Sequence, residues 1–441
     1  MGDKQSIFQI VLLFVFGFLA VGGVIVLALY QTDSDAIVIT PVTVWGPPWT
    51  GELSPQAALR GLADTSSVFE KVTYVEKNPQ SLGAEVLTAI ARGNAPDMVI
   101  IDQDNFLSLK DILQPISYEA VPMRTFRSTF AEGAELFTNS NGVYAIPLSV
   151  DPLILFWNRD LFTNAAIAQV PEDWDTFVRV IPRLTTIERG STLTQAGVAF
   201  GEYDNVLHAN EILSALMFQL GNPIVRYSGT EYQALLSSGI DNASDDVTKA
   251  VQFYTDFANP IKQVYSWNKT FSRSREAFAA NKVALYAGFA SEVPTLHKIN
   301  PNLNFDVSLW PQSSVRTNKV TYGKVYGIAR LRATRNQSRA QGVMTSLGSR
   351  NAAALWRQVT ALPSARRDLL NGAPDDPFED VLVRSVIMAR SWPEPVGGGT
   401  ATDDIFRDMI NSIVSGAQTP GAAVTVADED LEALLETHNT R

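Results

Sequence analysis

In the first hundred residues, segments with the apolar pattern of a β-strand alternate with segments that have the apolar period of a helix. Strands are predicted over residues 37–45, 71–76 and 98–101, where β-branched and other apolar residues run together or alternate with polar ones. Helices are predicted over residues 54–62 and 81–92, where apolar side chains recur every three or four positions. This strand–helix–strand–helix order predicts a parallel α/β sheet with crossover helices. Pro41, inside the first predicted strand, favours an edge or a bulge there.

The same mixture continues to the end of the chain. Asp173 is a good N-cap for a helix over Trp174–Leu184, because its carboxylate can accept from the first free backbone N–H groups. Further helices are predicted over residues 211–221, 246–257, 337–347, 380–389, 404–416 and 428–437.

The segment Gly142–Phe162, GVYAIPLSVDPLILFWNRDLF, contains two apolar runs around a polar interruption. Apolar runs that are bounded by proline and by polar turn residues are typical of buried strands. The pattern predicts two strands joined through a short polar kink at Ser149–Asp151. By itself it fits two ordinary core strands equally well.

This segment closely resembles the "Y-x-I/L-P…L-x-Y-N-x-D-L-F" stretch of extracytoplasmic solute-binding proteins of the maltose-binding, family 1 type. Other stretches resemble the same family in the same order: GNAPDMVIID at 93–102, VPEDWDTF at 170–177 and LPSARRD at 362–368. Trp157-Asn158-Arg159-Asp160 replaces the family's usual Tyr-Asn-Lys-Asp, and Asn281 stands where a glycine is usual. Asparagine tolerates the left-handed backbone that glycine allows there.

The resemblance implies a bilobal, periplasmic-binding-protein-like (type II) fold with two discontinuous α/β lobes joined by a hinge. One lobe would comprise residues 37–149 and 325–372, and the other residues 152–322 and 373–441. The hinge would lie at Ser149, Asp151, Gly323 and Gly327, with the glycines easing the backbone change.

Residues 10–30 carry no charge and are long enough, at 1.5 Å per residue, to span a hydrocarbon core of roughly 30 Å. The run exceeds the apolar region of a signal peptide. The sequence therefore predicts an N-terminal transmembrane helix over residues 7–30, with residues 1–6 in the cytoplasm, a linker over 31–36 and the body outside the cytoplasm. Cleavage as a signal peptide is the alternative.

Composition excludes several classes of function. The 441 residues carry a formal charge of -11, which argues against a nucleic-acid partner. There is no cysteine, so disulfides, thiolate metal sites and a lipid-modified cysteine are excluded. The three histidines are scattered and fit surface or core positions, so neither a metal nor another cofactor is expected. We expect a monomer.

Aromatic and polar residues that follow predicted strands are the candidates for binding a ligand, because ligands of open α/β sheets bind beyond the carboxyl ends of the strands. Trp45 and Trp49 follow the first strand, Asp102 and Gln103 the third, and Asp151 lies in the crossing. Tryptophan rings can cover the apolar faces of a sugar while carboxylates accept from its hydroxyls. Trp45 fits a core position equally well.

The resemblance adds candidates from the second lobe. It places family ligand positions near Trp157, Glu202, Asn205, Phe289 and Trp392, of which Trp157 and Phe289 fit the core as well as a pocket. It also implies capture of a solute, with a sugar or oligosaccharide favoured, and delivery to the permease subunits of an ABC importer. Two alternatives remain open: an anchored glycan-acting hydrolase or lyase, and a binding lobe that signals to a membrane receptor.

Overall fold

The computed structural model describes residues 11–21, 23, 40–188, 192–238, 244–314, 319–372, 374–395 and 400–439. Residues 11–21 are helical, and within the described ranges no helix is both long and apolar enough to span a bilayer. Most of the predicted anchor over residues 7–30 lies outside those ranges, as do residues 1–6 and the predicted linker over 31–36. Residues 1–41 and Val42–Arg441 form separate units, and the sheet with its packed helices belongs to the second.

The strands of this second unit are short except for two. In chain order they are β1 (Val42–Gly46), β2 (Val72–Glu76), β3 (Met98–Ile101), β4 (Thr138–Asn139), β5 (Gly142–Val143), β6 (Ala145–Asn158), β7 (Thr186–Glu188), β8 (Thr192–Val198), β9 (Val225–Tyr227), β10 (Tyr232–Ala234), β11 (Val283–Phe289), β12 (Phe305–Ser308), β13 (Thr321–Arg330) and β14 (Ala389–Arg390).

The α-helices lie between these strands, singly or in consecutive groups. They are α1 (Pro55–Ala63), α2 (Pro79–Ala91), α3 (Gln103–Leu109), α4 (Met123–Thr129), α5 (Arg159–Asn164), α6 (Trp174–Leu184), α7 (Ala209–Leu220), α8 (Ser244–Asp256), α9 (Ser274–Ala279), α10 (Val293–Ile299), α11 (Gln337–Leu347), α12 (Arg350–Thr360), α13 (Pro377–Met388), α14 (Thr400–Val414) and α15 (Pro420–Asn439).

The main sheet has the order β2-β1-β3-β13-β6-β11-β8-β7, with β12 paired to β6 and β14 paired to β13. Strands β1, β2 and β3 are parallel, as the alternation of strands and helices predicts. We call β1–β3 and the helices packed on them the first lobe, and β7, β8, β11 and β12 with their helices the second lobe. The long strands β6 and β13 belong to both, and we call them the crossing strands.

Strand β6 is one continuous strand, so the predicted kink between two strands is wrong. Its first half pairs with β13, and its second half pairs with β11 and β12. Pro147 does not end the strand, because it lies where the register between the crossing strands shifts, and irregular positions tolerate a missing N–H. The polar residues are therefore held in extended backbone between the lobes.

Several local predictions are confirmed. Helix α6 has the predicted bounds, and the Asp173 carboxylate accepts from the Thr176 backbone N–H at 2.8 Å. Gly221 ends α7 with a φ of 94°, and Asn281 takes a left-handed φ of 58°. Pro41, in contrast, lies before β1, which is a central strand between β2 and β3. The interpretation of β1 as an edge or bulged strand is therefore wrong.

Candidate functional site

One face of the crossing strands is polar and lies between the lobes. In their register Ser149 opposes Tyr326, and Asp151 opposes Lys324. Side chains alternate between the two faces of a strand, so these four residues and Tyr322 point to the same side. We call this surface the inter-lobe face. It carries a carboxylate, an ammonium group and three hydroxyls in the middle of the sheet.

Asp151 ties the crossing strands to the second lobe. One of its carboxylate oxygens accepts from the Ser291 backbone N–H at 3.0 Å, and its side chain is almost fully buried. Burial raises the pKa of Asp151 to about 6, although the hydrogen bond from Ser291 acts in the opposite direction. A carboxylate in this state is a strong acceptor with capacity left for a ligand hydroxyl.

Lys324 connects the crossing strands to the first lobe. Its Nζ lies 3.1 Å from Oδ2 of Asp104, the second residue of α3. The same Nζ lies 5.9 Å from the centre of the Phe289 ring, within the range of a cation–π contact with the second lobe. Burial raises the pKa of Asp104 to about 6 despite the attraction of Lys324.

Gln103 and Glu394 join the lobes beside this pair. The Gln103 amide donates to the Tyr322 hydroxyl at 3.0 Å and accepts from the Val325 backbone N–H at 3.2 Å. Tyr322 in turn donates to Glu394 at 3.3 Å, and the Glu394 backbone N–H donates to the Gln103 carbonyl at 3.2 Å. Burial raises the pKa of Glu394 well above its ordinary value, and the charges of Asp104 and another carboxylate add to this effect. Gln103 is thus engaged in holding the lobes together.

His208 lies at the start of α7 between two carboxylates. Its Nε2 is 2.5 Å from Glu292 Oε1, and its Nδ1 is 3.8 Å from Glu211 Oε1. Burial alone would lower the pKa of His208, but the two carboxylates raise it to about 10. The Phe289 ring packs edge-on against the imidazole, with centroids 4.8 Å apart. His208 is therefore an imidazolium at neutral pH, held between two carboxylates of the second lobe.

Aromatic rings from the first lobe flank the inter-lobe face. The half-buried Trp49 ring meets Tyr326 edge to face at 4.9 Å and donates its indole N–H to the Tyr74 hydroxyl at 3.0 Å. Trp45 lies further out, with the Lys77 ammonium 4.1 Å from the centre of its ring. Trp49 and Tyr326 thus offer a ring surface beside the polar groups of the crossing strands.

Other predicted ligand residues already have structural partners. Asp102 is the N-cap of α3 and accepts from the backbone and side-chain amides of Asn105. The Asn205 amide is used by the carbonyls of Asn268 and Phe271, and its oxygen accepts from Trp267.

The remaining candidates from the resemblance are also occupied or distant. Trp392 is buried, and its indole N–H donates to Ser214 at 3.2 Å. Trp157 lies six residues beyond Asp151 on β6, about 20 Å away at the rise of an extended strand. Its ring packs against Phe162 instead. The structure does not bring Trp157 to the inter-lobe face.

Glu202 is buried next to a cavity of the second lobe. Among the described residues its Oε2 has no hydrogen-bond partner, and it lies 3.7 Å from Lys269 Nζ. Burial raises the pKa of Glu202. The neighbouring cavity of about 480 Å³ is lined by Tyr203, Asp204, Val206–Glu211, Arg273, Asp403 and Arg407. Through His208 and Glu211 this cavity adjoins the inter-lobe face.

Sequence reasoning missed the residues that complete the site. Asp104 and Lys324 are 220 positions apart, and neither belongs to a short motif. The position of Asp104 directly after β3, beside Asp102 and Gln103, is the one signal that could have found it. Within the described residues, no group of histidine, aspartate and glutamate side chains could hold a metal ion.

Two α/β lobes that share two crossing strands, with polar and aromatic groups between them, define a two-lobed binding protein. The sequence profile described as "Bacterial extracellular solute-binding protein" matches residues 67–380. The chain belongs to this family. Its membership confirms the prediction of a binding protein over that of a hydrolase or lyase. No curated protein matches the sequence significantly.

Solved structures of similar fold include sugar-binding proteins. A cyclo/maltodextrin-binding protein complexed with maltotetraose is 17% identical, with a TM-score of 0.71 and coverage of 90% of this chain and 98% of that one. The cyclic α-maltosyl-1,6-maltose binding protein of Arthrobacter globiformis is 14% identical, with a TM-score of 0.72 and coverage of 90% and 99%.

A third similar structure is an ABC transporter solute-binding protein of Thermotoga lettingae bound with α-D-tagatose. It is 17% identical, with a TM-score of 0.63 and coverage of 90% of this chain and 100% of that one. At these identities the similarity establishes the fold, and the match over nearly the whole length of each chain confirms the predicted bilobal α/β architecture.

Proposed function

We propose that this protein captures a sugar or oligosaccharide by closing its two lobes around the inter-lobe face. The observation that carries the proposal is the arrangement on that face. The Trp49 and Tyr326 rings lie on one side, while Asp151 and the Asp104–Lys324 pair present acceptors and a donor beside them. The similar structures that contain maltotetraose and tagatose support the same class of ligand.

A sugar suits this surface for two physical reasons. Its C–H faces are apolar and can lie on aromatic rings, which lose little conformational entropy on binding. Its hydroxyls can donate to buried carboxylates, and hydrogen bonds to charged acceptors are the stronger kind. A solute without hydroxyls would leave the remaining acceptor positions of these carboxylates without a donor, which is costly in a closed cleft.

We propose that the crossing strands act as the hinge, with the backbone change at Ser149, Asp151, Gly323 and Gly327. The lobes would be residues 37–149 with 325–372, and 152–322 with 373–441. A ligand closes such a hinge only if it gains more contacts in the closed form than in the open form. A shift from 1:99 to 99:1 needs about 5.5 kcal/mol of differential binding.

We further propose that the protein works outside the cytoplasm and delivers its ligand to the permease subunits of an ABC importer. Membership of an extracellular solute-binding family supports the location. Tethering through residues 7–30 rests on the uncharged run over 10–30. Fractionation of cells tests the tether: the protein should stay with membranes in high salt and be released by detergent. Release by salt alone would contradict a spanning anchor.

A thermal-shift screen of the purified full-length protein tests the ligand class. The panel contains maltotetraose, mannobiose and tagatose, with spermidine and a tripeptide as other solute classes. A ligand at 100 times its Kd adds about 2.7 kcal/mol of stability, which raises the Tm by several degrees in a protein of this size. Shifts with saccharides alone support the proposal, while shifts with spermidine or the peptide alone overturn it.

A further inference from the structure

We infer that Lys324 sets the charge selectivity of the inter-lobe face, so that neutral solutes are accepted and solutes with an ammonium group are rejected. The inference rests on the proposed function, because it concerns the ligand of that same site. It assigns a role in specificity to a residue that no sequence motif marks.

The position of Lys324 makes its charge available to both lobes. It opposes Asp151 across the crossing strands, but the two side chains bond to different lobes. Asp151 accepts from Ser291 of the second lobe, while the Lys324 ammonium lies 3.1 Å from Asp104 of the first. With its side chain 21% exposed, Lys324 remains accessible to a ligand in the cleft.

The carboxylates around this ammonium outnumber the other cations near it. Burial would lower the pKa of Lys324, but the charges of Asp104, Asp102 and Glu211 raise it well above its ordinary value.

The two other cations beside the face share Glu292 as a partner, and each also lies near a second carboxylate, Glu211 for His208 and Glu276 for Arg275. Glu292 lies 2.5 Å from the His208 imidazole and 3.5 Å from the Arg275 guanidinium. It also accepts from the Tyr286 hydroxyl at 2.7 Å. Among the described residues, Lys324 is therefore the cation that offsets Asp104.

A charge in this position decides which solutes the face can accept. With the ammonium present, the amine of an incoming ligand meets a like charge next to the carboxylates with which it could pair. Two like charges in a closed site repel each other strongly. Hydroxyls are not repelled and can use the carboxylate oxygens that the ammonium leaves free. Without the ammonium, Asp104 would be an unpaired, partly buried carboxylate, which favours a ligand that brings a positive charge.

The experiment compares the wild type with Lys324→Met against matched probes. The neutral set is maltotetraose, mannobiose and tagatose, and the cationic set is glucosamine, the trisaccharide of glucosamine and spermidine. Affinities are measured by calorimetry at pH 7.5. We expect the wild type to bind only neutral probes, and Lys324→Met to gain binding to at least one cationic probe while losing at least tenfold in affinity for the neutral ones. Lys324→Arg should keep the wild-type preference.

Controls separate charge at the face from charge in general. Lys262→Met removes an ammonium that lies 3.2 Å from Asp256 in the second lobe, and it should leave the preference unchanged. Asp104→Asn leaves the Lys324 ammonium unpaired and should admit an anionic probe, the trisaccharide of galacturonic acid. This variant also tests the inference if Lys324→Met does not fold.

The outcomes distinguish the inference from the function on which it rests. A wild type that binds neutral saccharides, with Lys324→Met keeping the same preference or Asp104→Asn admitting no anion, overturns the inference alone. A wild type that binds the cationic probes as well as the neutral ones also overturns it. A wild type that binds no saccharide overturns the proposed function and this inference together.

Discussion

His208 Nε2 lies 2.5 Å from Glu292 Oε1, although 84 positions of sequence separate the two residues. The contact joins the start of α7 to the turn after β11, both in the second lobe, directly behind Phe289. His208 takes a left-handed φ of 63° there. The imidazolium thus fixes the two segments that present Phe289 and Glu211 to the inter-lobe face.

The pH dependence of stability should report this contact. The pKa of His208 is about 10 in the folded protein and about 6.5 in an unfolded chain, so folding gains from its charge. The gain is complete below pH 6.5 and is lost as the pH rises through 10. Between these values the wild type should lose up to about 4 kcal/mol more unfolding free energy than His208→Gln, at about 1.4 kcal/mol per pKa unit. Unfolding in guanidinium at both pH values measures the free energy of unfolding of the two proteins. Equal losses in the wild type and in His208→Gln would contradict the prediction.

The contribution of Asp151 to the pH dependence of stability should also be lost as the pH rises, but at lower pH and because its charged form is disfavoured by folding. Its pKa is raised to about 6 in the folded protein, so the folded state holds its proton more tightly than the unfolded chain and stability falls as the pH rises from about 4 to above 6. At pH 8, Asp151→Asn should therefore be more stable than the wild type by about 1–3 kcal/mol, with the advantage shrinking at pH 4.

Urea unfolding of both proteins at pH 4 and pH 8 tests this prediction for Asp151. Asp151→Asn should also bind saccharides more weakly, because it lacks the charged acceptor. A variant that is less stable than the wild type at pH 8 would show that the carboxylate is needed for folding.

Trp49 and Trp310 should respond differently to truncation. Trp310 is fully buried, so Trp310→Ala should lose about 3–5 kcal/mol of stability. Trp49 is half-buried beside the inter-lobe face, so Trp49→Ala should lower the Tm only slightly and weaken saccharide binding at least tenfold, or about 1.4 kcal/mol. Calorimetry for binding and for melting measures both. A large fall in Tm with unchanged affinity would make Trp49 a core residue.

Gly327 lies at the predicted hinge, where its lack of a side chain allows close packing. Neither Gly323 nor Gly327 has a positive φ in this structure, and their role as hinge residues stays a prediction. A Cβ on Gly327 would lie 2.8 Å from Phe137 Cε2 and 2.9 Å from Ala145 Cβ. Gly327→Ala should therefore cost about 1–3 kcal/mol of stability through overpacking.

A glycine with room around it is the matched control for Gly327. Gly342 lies inside α11, where a Cβ would meet only Val68, at 4.0 Å. Gly342→Ala should be neutral or stabilising by up to about 1 kcal/mol, because alanine favours a helix. Urea unfolding compares the two variants, and equal effects would rule out packing as the reason for Gly327.

Local signals determined much of the fold. Helix α6 with its Asp173 cap, strand β3 and helix α11 depend on apolar period and capping, which are properties of neighbouring residues, and their predicted bounds are confirmed. The parallel β1–β3 sheet follows from the order of these elements. The polar residues at the end of β3 likewise point to a site before the fold is known.

Tertiary structure decided which of those residues meet. Strand β6 stays continuous through two prolines because β13 on one side, and β11 and β12 beyond, hold it extended. Asp104 with Lys324, and His208 with Glu292, come together only through sheet order, over separations that no local pattern records. Charge pairing in a buried site depends on three-dimensional distance and burial, whereas a sequence displays only the order of its residues.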